Sequence, residues 1–212
     1  DMIRDRGYTG SVYAVRRYVR KVRAGSRHEA FFRLTGLPGE QGQVDWGSFG
    51  SIRVGQTMRR LSFFVMVLCY SRMMYLEFTV SQTMEHFLAC HQNAFDYFGS
   101  VPRKIMVDNL KSAVIERITG KPPGLNPTYL DFANTYGFTI APCNVRAGNE
   151  KGRVENGVGY AKKNFLSGLD IPHFEAVNPA ARIWLNEIAN VRIHGETRKK
   201  PIELFQEEKS HL

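Results

Sequence analysis

Apolar residues follow two regimes along this chain. From Leu61 to Tyr70 they run almost unbroken, as in a strand buried on both faces; elsewhere they recur at helical spacing or alternate with polar residues. Gln43 to Trp46 reads as a strand before that run, and Arg72 to Val80 as one after it, turning at Ser71. Thr83 to Phe98 predicts a helix with Met84, Phe87, Leu88, Phe95 and Phe98 on one side and Gly99 as its stop. A short strand, Ile105 to Val107, ends at Asp108. Asn126 and Pro127 cap and open a second helix that stops before Gly137. Phe138 to Ala141 gives another short strand, and Asn149 to Phe165 a helix carrying Glu155. The capping pair recurs at Asn178-Pro179, followed by an apolar stripe of Trp184, Leu185, Ile188 and Val191.

Three strands followed by alternating helices and strands predict an α/β sheet flanked by helices. Ahead of it, Gly10-Ser11 caps a helix in which Val12, Val15, Val19 and Val22 recur at helical spacing, while Arg16, Arg17, Arg20, Lys21 and Arg23 fill much of the remaining surface. Such a helix suits the last part of a helix-turn-helix, and equally an ordinary solvated basic face. On the first reading the earlier helices of the motif would precede Asp1. Residues 24–40 read as a linker broken by Gly36, Pro38 and Gly39. The expected organisation is therefore 1–23 as the end of a DNA-binding region, 24–40 as linker, 41–170 as core and 171–212 as a C-terminal helical segment.

Composition narrows the class. With 43% hydrophobic and 23% charged residues the chain is globular, and 29 Lys and Arg against 20 Asp and Glu give +9, a bias towards polyanions. Cys69, Cys90 and Cys143 are too few and too widely spaced for a disulfide framework or a zinc site. No signal peptide is expected, and the apolar run Phe63 to Tyr70 is too short to span a bilayer. A reducing cytoplasm is the expectation.

Two acids lie where the core should be. Asp45 sits within the first strand between Val44 and Trp46, and Asp108 directly follows a buried strand. A buried carboxylate needs a partner. Divalent metal supplies one, and two ions held by Asp45, Asp108 and a helix-borne Glu155 would account for all three acids. One ion would activate water or a 3′-hydroxyl and the other stabilise a leaving 3′-oxygen. Oxygen ligands point to two Mg²⁺ ions, with Mn²⁺ as substitute. Equally, Asp45 could pair with an arginine and Asp108 cap a turn, and pattern alone does not separate Glu155 from Glu150. At 100° per residue Lys151 and Lys162 share the face of Glu155, within reach of phosphates, and Arg153 shares its helix.

The residues around these acids carry a resemblance. Pro38 to Gly47, Val107 to Lys111 and Lys151 to Asn156 resemble, in order, the three acidic motifs of IstA-type insertion-sequence transposases, with 62 residues between Asp45 and Asp108 and 46 between Asp108 and Glu155. Tyr70-Ser71-Arg72, His194 to Thr197 and Pro201 are similar to the same family, and Gly7 to Ser11 resembles the end of its helix-turn-helix. Where retroviral relatives often place a lysine one turn after the glutamate, this chain has Gly159, and Lys162 one turn later. The resemblance implies a ribonuclease-H-like mixed five-stranded sheet flanked by helices, with an N-terminal helical DNA-binding remnant and a C-terminal helical tail. It implies Asp45, Asp108 and Glu155 as catalytic and metal-binding residues. With the basic pattern, it suggests Ser11, Arg16, Arg17, Arg20, Lys21, Lys151, Arg153 and Lys162 as DNA contacts. It further implies metal-dependent cleavage and strand transfer of transposon ends, a homo-oligomer on double-stranded DNA and a helper AAA+ ATPase. The competing expectations are a metal-dependent nuclease of the same fold and a non-catalytic DNA-binding regulator.

Overall fold

A computed structural model of the chain describes residues 7–23, 36–107, 114–116, 124–142, 156–168 and 173–212. It divides into two compact units, Asp1–Leu34 and Thr35–Leu212. In the first, α1 (Val12–Arg23) starts at Ser11, whose Oγ accepts the Ala14 backbone N–H at 3.2 Å, the N-cap bond that the sequence predicts. Its valine stripe is not a buried face, since Val12, Val19 and Val22 are exposed.

In the second unit, β1 (Gln41–Val54), β2 (Thr57–Leu68), β3 (Met74–Thr79), β4 (Lys104–Val107) and β7 (Thr139–Pro142) form one sheet in the order β3-β2-β1-β4-β7. β1, β2 and β3 pair antiparallel, whereas β4 is parallel to β1 and β7 to β4. A separate pair joins β5 (Val114–Glu116) and β6 (Gly124–Leu125). This is the mixed five-stranded sheet expected of a ribonuclease-H-like core. β1 runs well beyond the expected Gln43 to Trp46. Its continuation is rich in Gly and Ser and lacks an alternating pattern, yet its ladder with β2 continues to Val54↔Thr57 across a bulge between Ser48 and Ser51.

β2 explains why helices cover both faces: Leu61 through Leu68 are all buried. On one face lie α2 (Met84–Phe98) and α3 (Pro127–Tyr136). Trp46 stacks on Phe87 at 5.4 Å between ring centroids, and Phe64, Phe95, Tyr129 and Phe138 continue the aromatic layer around His91. Gly99 and Gly137 end the two helices in the left-handed conformation, and Asn126 accepts from the Thr128 N–H at 3.0 Å. His91 is fully buried. Its Nδ1 donates to the Phe87 carbonyl at 2.8 Å, which leaves Nε2 to accept from the Tyr129 hydroxyl at 3.1 Å. Burial lowers its pKa from 6.5 to about 4, against the opposing pull of the Phe87 carbonyl.

The opposite face is covered by α4, helical over 156–160 and widening into a π turn at Ala161–Phe165, and by α5 (Phe174–Trp184), which passes into a π turn at Leu185–Ala189. Phe165 packs on Phe78 and Trp184 at centroid distances of 5.8 and 5.3 Å. Here the structure corrects two expectations. Asn178-Pro179 opens no helix: His173 is the N-cap, and Pro179 falls within α5. Asn178 instead lies along the outer edge of β3, accepting the Phe78 N–H at 2.7 Å and donating to the Phe78 carbonyl at 3.0 Å. Asn190 does the same for Met74, both bonds at 2.9 Å. Two side-chain amides thus stand in for the next strand on an open edge. The π turn also rotates the predicted stripe, so that Ala189 and Asn190 are buried whereas Ile188 is 47% exposed. α6 (Pro201–Glu208) closes the base, where Glu208 accepts the N–H groups of Gly39 at 3.2 Å and Ser71 at 3.1 Å. Cys69 and Cys90 are buried free thiols, and Cys143 lies outside the described residues.

Two stability predictions follow from this packing. Replacing Asn190 by Ala strips Met74 of both edge partners in a buried setting and should cost about 2–4 kcal/mol, read as a lower urea midpoint at unchanged slope. His91 binds a proton less readily folded than unfolded, so stability is full above about pH 6.5 and falls as the pH drops towards about 4. The loss amounts to roughly 3 kcal/mol at most. Urea titrations at several pH values should show that slope, and His91→Gln should flatten it.

Candidate active site

β1 alternates. Val44 and Trp46 face the aromatic layer under α2, which sends Gln43, Asp45 and Gly47 to the other face, the side on which α4 lies. Asp45 is half-buried, stands opposite Val65 of β2, and its Oδ1 accepts the Trp46 N–H at 2.9 Å. One row on, the Phe63 ring lies directly over Gly47, so close that any Cβ there would collide with it. On the parallel side Val44 is in register with Val107, the last residue of β4. Met106, one residue earlier, takes amide contacts from Gln41 and Gln43 at 3.6 Å, on the face of Asp45. Asp108, the next residue in the chain, lies outside the described residues.

Glu155, Lys151 and Arg153 also lie outside them, and α4 is described from Asn156 onward. Gly157 brings that helix down on the sheet: a Cβ there would stand 3.0 Å from both Met74 Cε and Val67 Cγ2, and 3.8 Å from Val65 Cγ1, the row partner of Asp45. Ala161 and Phe165 continue the buried side, and Tyr160 stacks between Trp184 at 5.4 Å and the Arg192 guanidinium at 3.8 Å. Lys162 is exposed with its Nζ 5.3 Å above the Phe63 ring that covers Gly47. Placing Lys162 on the face of Glu155 assumed 100° per residue, an assumption that ends at Tyr160, where the hydrogen bonding widens to i→i+5.

In the other unit, Ser11 caps α1, and Arg16, Arg17 and Lys21 are exposed along it. Arg20 belongs to the same helix, but its side chain is outside the described residues. Among the described residues, no cluster of three or more His, Cys, Asp or Glu is poised to hold a metal.

A cleft beside the start of α4 was not legible in the sequence as a site. Val67, Arg72, Met74, Asn156, Gly157, Arg192, His194 and Glu196 line it. Arg72, buried and at a positive φ of 65°, meets Glu196 at 3.3 Å. Burial lowers the pKa of His194, and nearby Arg192 and Arg72 lower it further. The two segments resembling the transposase pattern, Tyr70 to Arg72 and His194 to Thr197, therefore meet here in space. No local signal joins them, because more than a hundred residues intervene.

Comparison with known proteins fits this geometry. The chain is 35% identical over 206 residues to a protein described as a transposase of insertion sequence element IS5376 in Geobacillus stearothermophilus, covering 97% of this chain and 51% of that protein. It is 30% identical over 211 residues to the transposase for insertion sequence element IS21 of Pseudomonas aeruginosa, covering 99% and 54% respectively. The chain thus spans about half the length of these relatives. Among solved structures, the HTLV-2 integrase catalytic core domain in complex with magnesium superposes with a TM-score of 0.53 at 16% identity, covering 80% of this chain and 97% of that one. No helix among the described residues is long and apolar enough to cross a membrane. The family described as "Integrase core domain" matches residues 37–147, more than half of the sequence and the whole stretch from β1 to the end of β7, and the chain belongs to that family.

Proposed function

We propose that this chain is the catalytic part of a DNA transposase, cleaving and joining transposon ends at Asp45, Asp108 and Glu155. One observation carries the reading: residues next in sequence to all three acids lie on adjoining elements, β1, its parallel neighbour β4 and the helix packed over β2. Asp45 faces α4, and Gly157 of α4 rests on Val65 and Val67, beside and one row from Asp45. Val107 pairs with Val44. Successive Cα atoms are only about 3.8 Å apart, and Asp108 is the residue next in sequence after Val107. Glu155 is two residues from Gly157.

Asp45 is half-buried, and together with Asp108 and Glu155 it would form a hard oxygen donor set, which suits Mg²⁺, with Mn²⁺ as substitute. A pair of such ions would supply the activation of a nucleophilic hydroxyl and the stabilisation of a leaving oxygen that in-line phosphoryl displacement requires. The protein's own part is to hold the acids. The Trp46 N–H fixes one oxygen of Asp45, and close packing of Gly157 sets the height of α4 above the sheet. Lys151, Arg153 and Lys162 neutralise phosphates beside the site, and Ser11, Arg16, Arg17, Arg20 and Lys21 of residues 1–23 contact DNA as the end of a helix-turn-helix. Residues 24–40 link that region to the catalytic core, 41–170, and 171–212 complete it as a helical segment. The relatives are described as transposases, which supports double-stranded DNA as the substrate; with that reading we propose a cytoplasmic homo-oligomer on DNA, working at the nucleoid with a helper AAA+ ATPase.

The test is joining of a pre-cut DNA end to a plasmid in Mg²⁺ or Mn²⁺. Asp45→Asn, Asp108→Asn and Glu155→Gln should each lower joining by roughly a hundredfold or more, the equivalent of losing several kcal/mol of charge stabilisation, while DNA binding persists. Substantial joining by any one variant removes that residue from the site. Metal-dependent nicking without joining by the wild type indicates a nuclease, and binding without any reaction indicates a regulator.

A further inference from the structure

The part of β1 and β2 beyond the main sheet is unaccounted for by the catalytic reading. β3 stops pairing at Ser62↔Thr79, and β4 reaches only Val44↔Val107. From Ser48 to Val54 and from Thr57 to Leu61 the two strands continue as a ribbon, turning at Gly55-Gln56. β1 runs towards the ribbon from Asp45, so the ribbon projects past the carboxyl end of β4, the end at which the proposed site lies. Val54 stands nine positions beyond Asp45, a reach of roughly 25–30 Å, or about eight base pairs of duplex.

The ribbon's two faces differ. Ile52 is 6% exposed and joins the core, Val54 packs against it, and α5 lies against β1, so this face is anchored to the body. After the bulge the other face presents Ser51 paired with Arg60 and Arg53 paired with Met58, with Arg53, Arg60 and Met58 all exposed. Arg59, opposite Ile52, is on the anchored face but is exposed as well, so the ribbon carries arginines on both faces. Arg60 is held in place by a 2.9 Å bond to Ser48 Oγ. Positions 46–76 contain no Asp or Glu, so no carboxylate of the hairpin offsets the three arginines.

We infer that this ribbon is a DNA-docking arm, setting Arg53 and Arg60 from one face and Arg59 from the other on the phosphate backbones of duplex flanking the cleavage site. This rests on the proposed function for the location of the cleavage site, but not for the binding itself. Uncompensated arginines on an anchored support match a polyanion, and a two-stranded ribbon fits the major groove. A second copy of the chain is the poorer occupant, because arginines along a ribbon repel their own kind and blunt strand-to-strand pairing. The exposed Met58 side chain lies between the cations, where it can pack on sugar and base edges.

The experiment compares the full chain with the triple variant Arg53→Gln/Arg59→Gln/Arg60→Gln, using a labelled duplex of random sequence over a series of NaCl concentrations. Loss of three phosphate contacts should flatten the plot of log Kd against log salt by about 2.7 and weaken low-salt binding by about tenfold or more. The same three positions changed to Lys should keep most of the slope. A control triple at exposed cations elsewhere, Arg103→Gln/Arg198→Gln/Lys209→Gln, should leave it nearly unchanged. A Gln variant that melts like the wild type and keeps its slope overturns the ribbon alone, as does one that changes only sedimentation, which would mark a contact between copies. A slope lost without any joining by the wild type supports the ribbon while the transposase reading fails. A wild type that binds no duplex overturns both.

Discussion

Burial of β2 on both faces is the constraint from which the rest of this architecture follows. Eight consecutive residues, Leu61 to Leu68, are removed from water, which a sheet achieves only with a layer on each side. At about 1.5–3 kcal/mol for each large apolar side chain, that burial goes far towards holding α2 and α3 on one face and α4 and α5 on the other. β1 lies beside β2 and is in register with it, so each β1 side chain is assigned to one layer or the other. The period-two alternation that puts Trp46 against Phe87 leaves Asp45 beneath the helix that follows Glu155. The acid's location is thus a consequence of core packing.

A sheet built this way has a weak point at β3, its outer strand, and the C-terminal segment resolves it with amides. Asn178 and Asn190 each offer one donor and one acceptor to the backbone of β3, satisfying groups that would otherwise be buried without partners or left open to another strand. α5 spans the gap between the two layers at that edge. Arg182 reaches the rings of Tyr75 and Tyr97 on the α2 side while Trp184 meets Phe165 on the α4 side. Glu208 adds a tie at the opposite end, to the start of β1 and the β2–β3 turn.

What the sequence showed and what it hid divide along physical lines. Elements that bury a face and carry their own end signals were legible: α2 with Gly99, α3 with Asn126-Pro127 and Gly137, and the apolar β2. Asp45 was legible for the same reason, as an acid inside a core strand. The ribbon arm was not, because strand pairing through backbone atoms needs no apolar alternation, and Gly47, Ser48, Gly50 and Ser51 carry no strand pattern. Asn178-Pro179 misled because an asparagine before a proline is a capping signal only when its side chain has no better partner, and here Phe78 of a distant strand supplied one. The π turns at Ala161–Phe165 and Leu185–Ala189 were invisible for a related reason: a helix takes an extra residue per turn to satisfy packing on a neighbour.

Those two π turns lie on helices that touch each other. Tyr160 immediately precedes the first and Trp184 the second, and their rings stack at 5.4 Å, with Arg192 on the far side of Tyr160 and Trp184 Nε1 donating to Asn164 at 2.7 Å. Each helix is therefore α-helical up to the shared contact and rewound beyond it. Without the rewinding, Ile188 would stand where Ala189 and Asn190 now do, and the amide that seals β3 at Met74 would point elsewhere. On α4 the same device separates two demands: the turn before Ala161 is set by Gly157 against Val65 and Val67, and the turn after it by Phe165 against Phe78. An unbroken α-helix has one period to meet both contacts, whereas a helix with one widened turn can adjust its second half without moving the first, the half that follows Glu155.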